Sequence, residues 1–105
     1  MKYLITGTYT SDGIKGLLSK GGSSREAAVK QMIEKLGGKL DAFYYALGDS
    51  DVIAIVDVPD AVTGTAISLV VNASGAVEMS TTPLLTTEEI DQACQISIDY
   101  IPPGS

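Results

Sequence analysis

Polar and apolar positions alternate with a period of two over residues 2–9. Tyr3, Ile5, Gly7 and Tyr9 share one face and Leu4, Thr6 and Thr8 the other, which predicts a strand. Ser11-Asp12-Gly13 breaks it, and Ile14, Leu17 and Leu18 then fall at helical spacing in a short segment ended by Gly21-Gly22. The next stretch carries one apolar stripe, Ala28 or Val29, Met32, Ile33 and Leu36, with Arg25, Lys30, Glu34 and Lys35 mostly off it. That is an amphipathic helix. Ser23 or Ser24 is the expected N-cap, Glu26 stands three residues after Ser23 as in a capping box, and Gly37-Gly38 closes the helix. Lys39 to Leu47 returns to strand, Gly48-Asp49-Ser50-Asp51 is turn chemistry, and Val52 to Val58 is an almost wholly apolar strand. The two strands read as a hairpin. Because Val52 to Val56 is apolar on both faces, this strand is expected at the centre of the sheet and covered on both sides. Asp60 can cap a second helix over about Ala61 to Ala73. Nearly free of charge, that helix is expected to be buried on more than one side. A fourth strand runs from Ala76 to about Thr82, and Pro83 marks its exit. Thr86 or Thr87 with Glu88 and Glu89 opens a last helix reaching about Ile98, and residues 101–105 are expected to run extended over the surface.

The order β-α-β-β-α-β plus one appended helix predicts a single α+β domain over 1–105. Its class is ferredoxin-like, a four-stranded antiparallel sheet with two helices on one face. The other face is then left open. Tyr3, Ile5 and Tyr9 oppose Leu4, while Phe43 and Tyr45 oppose Leu40 and Tyr44, so neither face reads as polar. An open face of this kind is a larger apolar patch than monomers normally show. The expected cover is a second copy of the chain, in a homodimer or a higher homo-oligomer. The alternative is the last helix folding over that face within one chain.

Composition narrows the chemistry. A chain of 105 residues should expose about 5,600 Å² when folded. Thirteen acidic against seven basic side chains give a net charge of −6, which argues against nucleic acid as a partner. With no histidine and a single cysteine, Cys94, imidazole acid/base chemistry, histidine–metal sites and intrachain disulfides are excluded. No metal and no cofactor is expected. The longest apolar stretches, 52–56 and 66–71, fall far short of the ~20 residues of a membrane span. The start of the chain lacks a signal-peptide pattern, and a cytoplasmic location is the default expectation.

Four features could carry chemistry. Asp51 is placed to close the hairpin by accepting backbone N–H bonds. Asp57 is in phase with Ile53 and Ile55 on a face expected to be buried. It is either a structural carboxylate paired with Arg25, Lys39 or a tyrosine hydroxyl, or a functional carboxylate in a pocket. Tyr9 and Tyr45, with the other tyrosines, fill core or interface or else line a ligand pocket between helix and sheet or between subunits. Lys20-Gly21-Gly22-Ser23-Ser24-Arg25 is either a helix-to-helix joint or a weak anion site; it lacks the phosphate-loop spacing.

Gly21-Gly22-Ser23-Ser24-Arg25, Phe43-Tyr44-Tyr45-Ala46-Leu47-Gly48-Asp49-Ser50-Asp51, Val56-Asp57-Val58-Pro59-Asp60 and Thr81-Thr82-Pro83-Leu84-Leu85-Thr86 together resemble the GYD domain family, from Tyr3 to Pro103. In the family's Gly-x-Tyr-Asp turn Gly48 and Asp51 match, and Ser50 stands in the tyrosine's place. The resemblance implies a small dimeric α+β barrel of ferredoxin-like type and no particular activity. Two functions follow as expectations. One is a non-catalytic, self-associating module that binds a small ligand or a protein partner, with Tyr9, Tyr45, Asp57 and Arg25 as candidate ligand-binding residues. The other is a cofactor-free monooxygenase- or isomerase-like enzyme acting on a small apolar or aromatic substrate through Asp57 and tyrosine hydroxyls. A purely architectural protein is a third.

Overall fold

A computed structural model describes residues 1–104, so Ser105 at the end of the tail lies outside the described residues. The elements are β1 (Lys2–Tyr9), α1 (Ser11–Lys20), α2 (Gly22–Lys35), β2 (Lys39–Tyr45), β3 (Val52–Asp57), α3 (Ala61–Ala73), β4 (Val77–Pro83) and α4 (Thr87–Cys94). The strands form one antiparallel sheet in the order β2-β3-β1-β4. This is the ferredoxin-like α+β arrangement, with the apolar β3 at an interior position as its pattern predicts. Burial alternates strictly along β3, where Val52, Ala54 and Val56 are buried and Ile53, Ile55 and Asp57 are not. The core lies between the first face and the helices, around Tyr3, Ile33, Val56, Val58 and Ile67.

Three local readings change. Leu40 was expected to oppose Phe43, yet a bulge between Leu40 and Ala42 inserts Asp41 as an extra residue. Leu40 therefore packs against the core on the same side as Phe43, because one added residue reverses every side chain before it. The open face consequently carries Leu4, Ala42, Tyr44, Ile53 and Ile55, bordered by threonines, serine and charged residues. The second change is that β2 stops at Tyr45 rather than Leu47. The Ala46 N–H donates to the Asp51 carbonyl at 3.0 Å, and Leu47 takes a left-handed conformation, φ 56°. The third is that α2 begins at Gly22, with Gly21 as an N-cap that offers no side-chain bond. Ser23 and Ser24 sit inside its first turn, and the capping box is not formed there. It forms instead at α4, between Thr86 and Glu89.

Gly64 and Ile67 are the buried residues of α3; Val62, Leu69 and Val70 lie in solvent, against the expectation of burial on several sides. The sheet covers one side of this helix, and α4, which could have covered another, lies elsewhere. α4 also ends at Cys94 instead of reaching Ile98, and from Leu85 to Gly104 every residue is exposed. This C-terminal arm accounts for a radius of gyration of 17.1 Å against about 13 Å for a compact domain of this length. It also contributes to a surface of 7338 Å² that exceeds the size-scaled value. At the β4 edge the Asn72 side chain accepts from the Met79 N–H at 2.7 Å and donates to the Met79 carbonyl at 3.1 Å. The amide thereby takes the place of a neighbouring strand.

Asp60 caps α3 by accepting from the Thr63 N–H and hydroxyl, both at 2.8 Å, and these bonds hold its carboxyl below the usual range. Asp41 is lowered in the same sense by the Lys2 ammonium, at 2.6 Å. A carboxylate whose folded value is depressed stabilises the fold above its unfolded value, and that contribution is lost as pH falls through the folded value. The thermal midpoint should therefore drop as pH falls below the ordinary carboxylate range, about pH 4, and less steeply in Asp60→Asn. Identical profiles for the two chains would contradict this assignment.

Candidate functional site

Four chain segments meet at one end of the sheet: the end of β1 at Tyr9, the end of β2 at Tyr45, the entry to β3 at Asp51 and the start of α2. Asp51 accepts from the Tyr9 N–H at 2.9 Å, while its own N–H donates to the Gly7 carbonyl at 2.8 Å. It does accept a backbone N–H, as expected of it, but from β1 rather than from within its own hairpin. Asp51 thus fixes where Tyr9 stands. Gly48 lies in the exposed part of the same loop, donating to the Ser50 carbonyl at 3.2 Å. The Tyr45 hydroxyl donates to the Gly22 carbonyl at 3.0 Å, so β2 grips the first turn of α2 and sets the position of Arg25 one turn later. The Phe43 and Tyr45 rings meet edge to face, 5.3 Å between centroids.

Beneath this end an apolar chamber of about 60 Å³ lies between α2, α3 and the sheet; its wall includes Gly7, Tyr9, Arg25, Phe43, Val77 and Met79. Gly7 matters here because a Cβ on it would stand 2.9 Å from Val77 Cγ2 and 3.0 Å from Val52 Cγ1. Side chains from both neighbouring strands close over a position that only glycine can leave free. Tyr9, Arg25 and Val77 also line a wider groove of about 440 Å³ between α1, α2 and the β4 entry, together with Lys20 and Asp12. These three residues form the threshold between a partly polar outer groove and an apolar inner chamber. Tyr45 stands beside the threshold, over a separate recess with Gly22, Glu26 and Phe43.

The electrostatics are simple. Burial pushes the Tyr45 phenol up, its neighbour Tyr9 adds to the effect, and the Arg25 guanidinium partly opposes it. At neutral pH the phenol is a donor and not a base. Arg25 takes part in none of the ion pairs among the described residues, which leaves its guanidinium free to meet an anion. No group of three His, Cys, Asp or Glu side chains that could hold a metal ion is found among them.

Asp57 is placed apart from this constellation. It stands at the other end of β3, about 16 Å along the strand from Val52 and on the open face with Ile53 and Ile55. Its carboxylate meets the Met1 ammonium at 3.0 Å, not Arg25, Lys39 or a tyrosine, and it is 42 % exposed. The Lys20–Arg25 stretch is a helix-to-helix joint, turned by Gly21 at φ 82°. Sequence reading did not single out the chamber wall of Val29, Met32, Phe43 and Met79, since each fits a core position equally well. Gly7 in the interior of a strand was the available signal. Among the described residues no helix is long and apolar enough to cross a membrane.

The model of the GYD domain family matches residues 3–94. A search of curated proteins and a search of solved structures each returned no match.

Proposed function

The chain belongs to the GYD domain family, and from that premise we propose that it is a non-catalytic, self-associating module that binds a small ligand at the Tyr9–Arg25 threshold. The observation that carries this reading is Arg25, without an ion-pair partner among the described residues, at the join of an apolar chamber and a wider groove. A ligand suited to it has a compact apolar body for the chamber and a carboxylate for the guanidinium, with the Tyr45 phenol alongside as a neutral donor. Self-association through the open face is supported by Leu4, Ile53, Ile55 and Tyr44 collected on one side of the sheet. The catalytic alternative called for Asp57 and tyrosine hydroxyls in one pocket, and Asp57 lies at the other end of β3 and on the other face of the sheet from Tyr9 and Tyr45.

The test is a titration with benzoate and with uncharged benzamide, followed through the amide resonances of Gly7, Tyr9 and Val77. Saturable shifts with benzoate, weakened about tenfold or more by Arg25→Gln, are expected; benzamide binding should be indifferent to that substitution. Absence of any saturable shift with either probe at millimolar concentration would overturn the reading.

A further inference from the structure

The C-terminal arm has a pattern its conformation leaves unused. Ile96, Ile98 and Tyr100 alternate with Ser97 and Asp99, the signature of a half-buried strand. Yet residues 95–101 form no regular element, and Ile96, Ile98, Tyr100 and Ile101 are between 67 and 79 % exposed. An amphipathic strand cannot exist alone, because its backbone groups need a ladder and its apolar side needs a surface.

The fold offers two sheet edges. Along β4 the N–H and C=O of Met79 are already bonded to Asn72. Along β2 the only strand partner is β3, on the inner side, and the outer backbone groups have no partner among the described residues. The arm cannot serve its own β2 without crossing the sheet. It leaves from the end of β4, the opposite edge, and extends away from a body whose longest dimension with the arm is 57 Å. A second molecule is the remaining owner of a free β2 edge.

We propose that residues 95–101 of one copy add as an edge strand to β2 of a second copy, exchanged reciprocally in a two-fold dimer. Backbone hydrogen bonds along β2 supply the register-independent part of the affinity. Ile96, Ile98 and Tyr100 then extend the apolar side of the partner's sheet beyond Ala42 and Tyr44. Lys39 and the Asp41 bulge keep the start of β2 from pairing indiscriminately, and the straight part, Ala42–Tyr45, remains available.

Hydrogen exchange on the full-length chain tests this, with Ile98→Pro as the variant. Proline removes one ladder donor from a segment that supports none of the core, so folding is preserved and is checked by an unchanged thermal midpoint at dilution. In the unsubstituted chain at high concentration, amides of 95–101 and the outer amides of β2 should be protected together. Dilution to monomer should remove both protections, and Ile98→Pro should remove both and weaken dimerisation about tenfold or more. Ile55→Lys in parallel reports pairing through the open face, so failure of one contact is distinguishable from failure of the other. An arm that stays unprotected in a persistent dimer overturns the proposal, as does protection of the arm in a monomer or without protection of β2.

Discussion

Ile33→Ala is expected to lower the unfolding free energy by about 4 kcal/mol, in the upper part of the range for fully buried aliphatic truncations. Ile33 is 0 % exposed and lies where α2 meets the sheet, packed in one cluster with Tyr3, Val56, Val58 and Ile67. Among the described residues eight hydrophobic side chains form the buried core, so few neighbours can move in to fill the space. A domain of this size has roughly 5–15 kcal/mol in total, and the loss therefore takes a large share of it. Urea denaturation should show a lower midpoint with an unchanged slope, and Ile33→Val should cost only about 1 kcal/mol. A truncation cost below that of Ile33→Val would mean that α2 is not anchored at this point.

The second large effect has the opposite sign from what helix propensity dictates. Gly64 lies within α3, where alanine would ordinarily add about 1 kcal/mol. A Cβ there would stand 2.6 Å from Tyr3 Cε2 and 2.8 Å from Tyr3 Cζ, and the Tyr3 ring, 5 % exposed, has no free volume to enter. Gly64→Ala should therefore destabilise by about 2–3 kcal/mol, and Tyr3→Leu in the same chain should recover part of the loss. Gly16 in α1 meets nothing within 4 Å, so Gly16→Ala should stabilise by about 1 kcal/mol. Thermal melts of the two alanine variants are expected to move apart. Shifts in the same direction would show that packing against Tyr3 does not decide the residue at 64.

What could be read beforehand follows from which interactions are local. The β3 position, the hairpin, the Asp60 cap and the element order rest on period and turn chemistry, which neighbouring residues determine by themselves. The Asp41 bulge could not be read, since Lys39-Leu40-Asp41-Ala42 alternates acceptably in either register and only pairing with β3 selects one. Gly21 rather than Ser23 became the N-cap of α2, and the Tyr45 hydroxyl holds the Gly22 carbonyl that opens the helix, a contact 23 residues away in sequence. Of the candidate site, Tyr9, Arg25 and Tyr45 do converge. Asp57 does not, because strand phase sets its face but cannot tell which of two faces the helices cover. The chamber itself stayed invisible, being a gap between side chains whose identities also suit a solid interior.

Asn72 has a bearing on how many molecules can join. A sheet with two receptive borders can recruit neighbours without limit, as a chain of hooks and eyes does. A side-chain amide plugs the Met79 position of one border, and the reciprocal exchange proposed above would use up the β2 borders of both copies. Assembly by strand exchange would then stop at a closed pair instead of growing into a fibre.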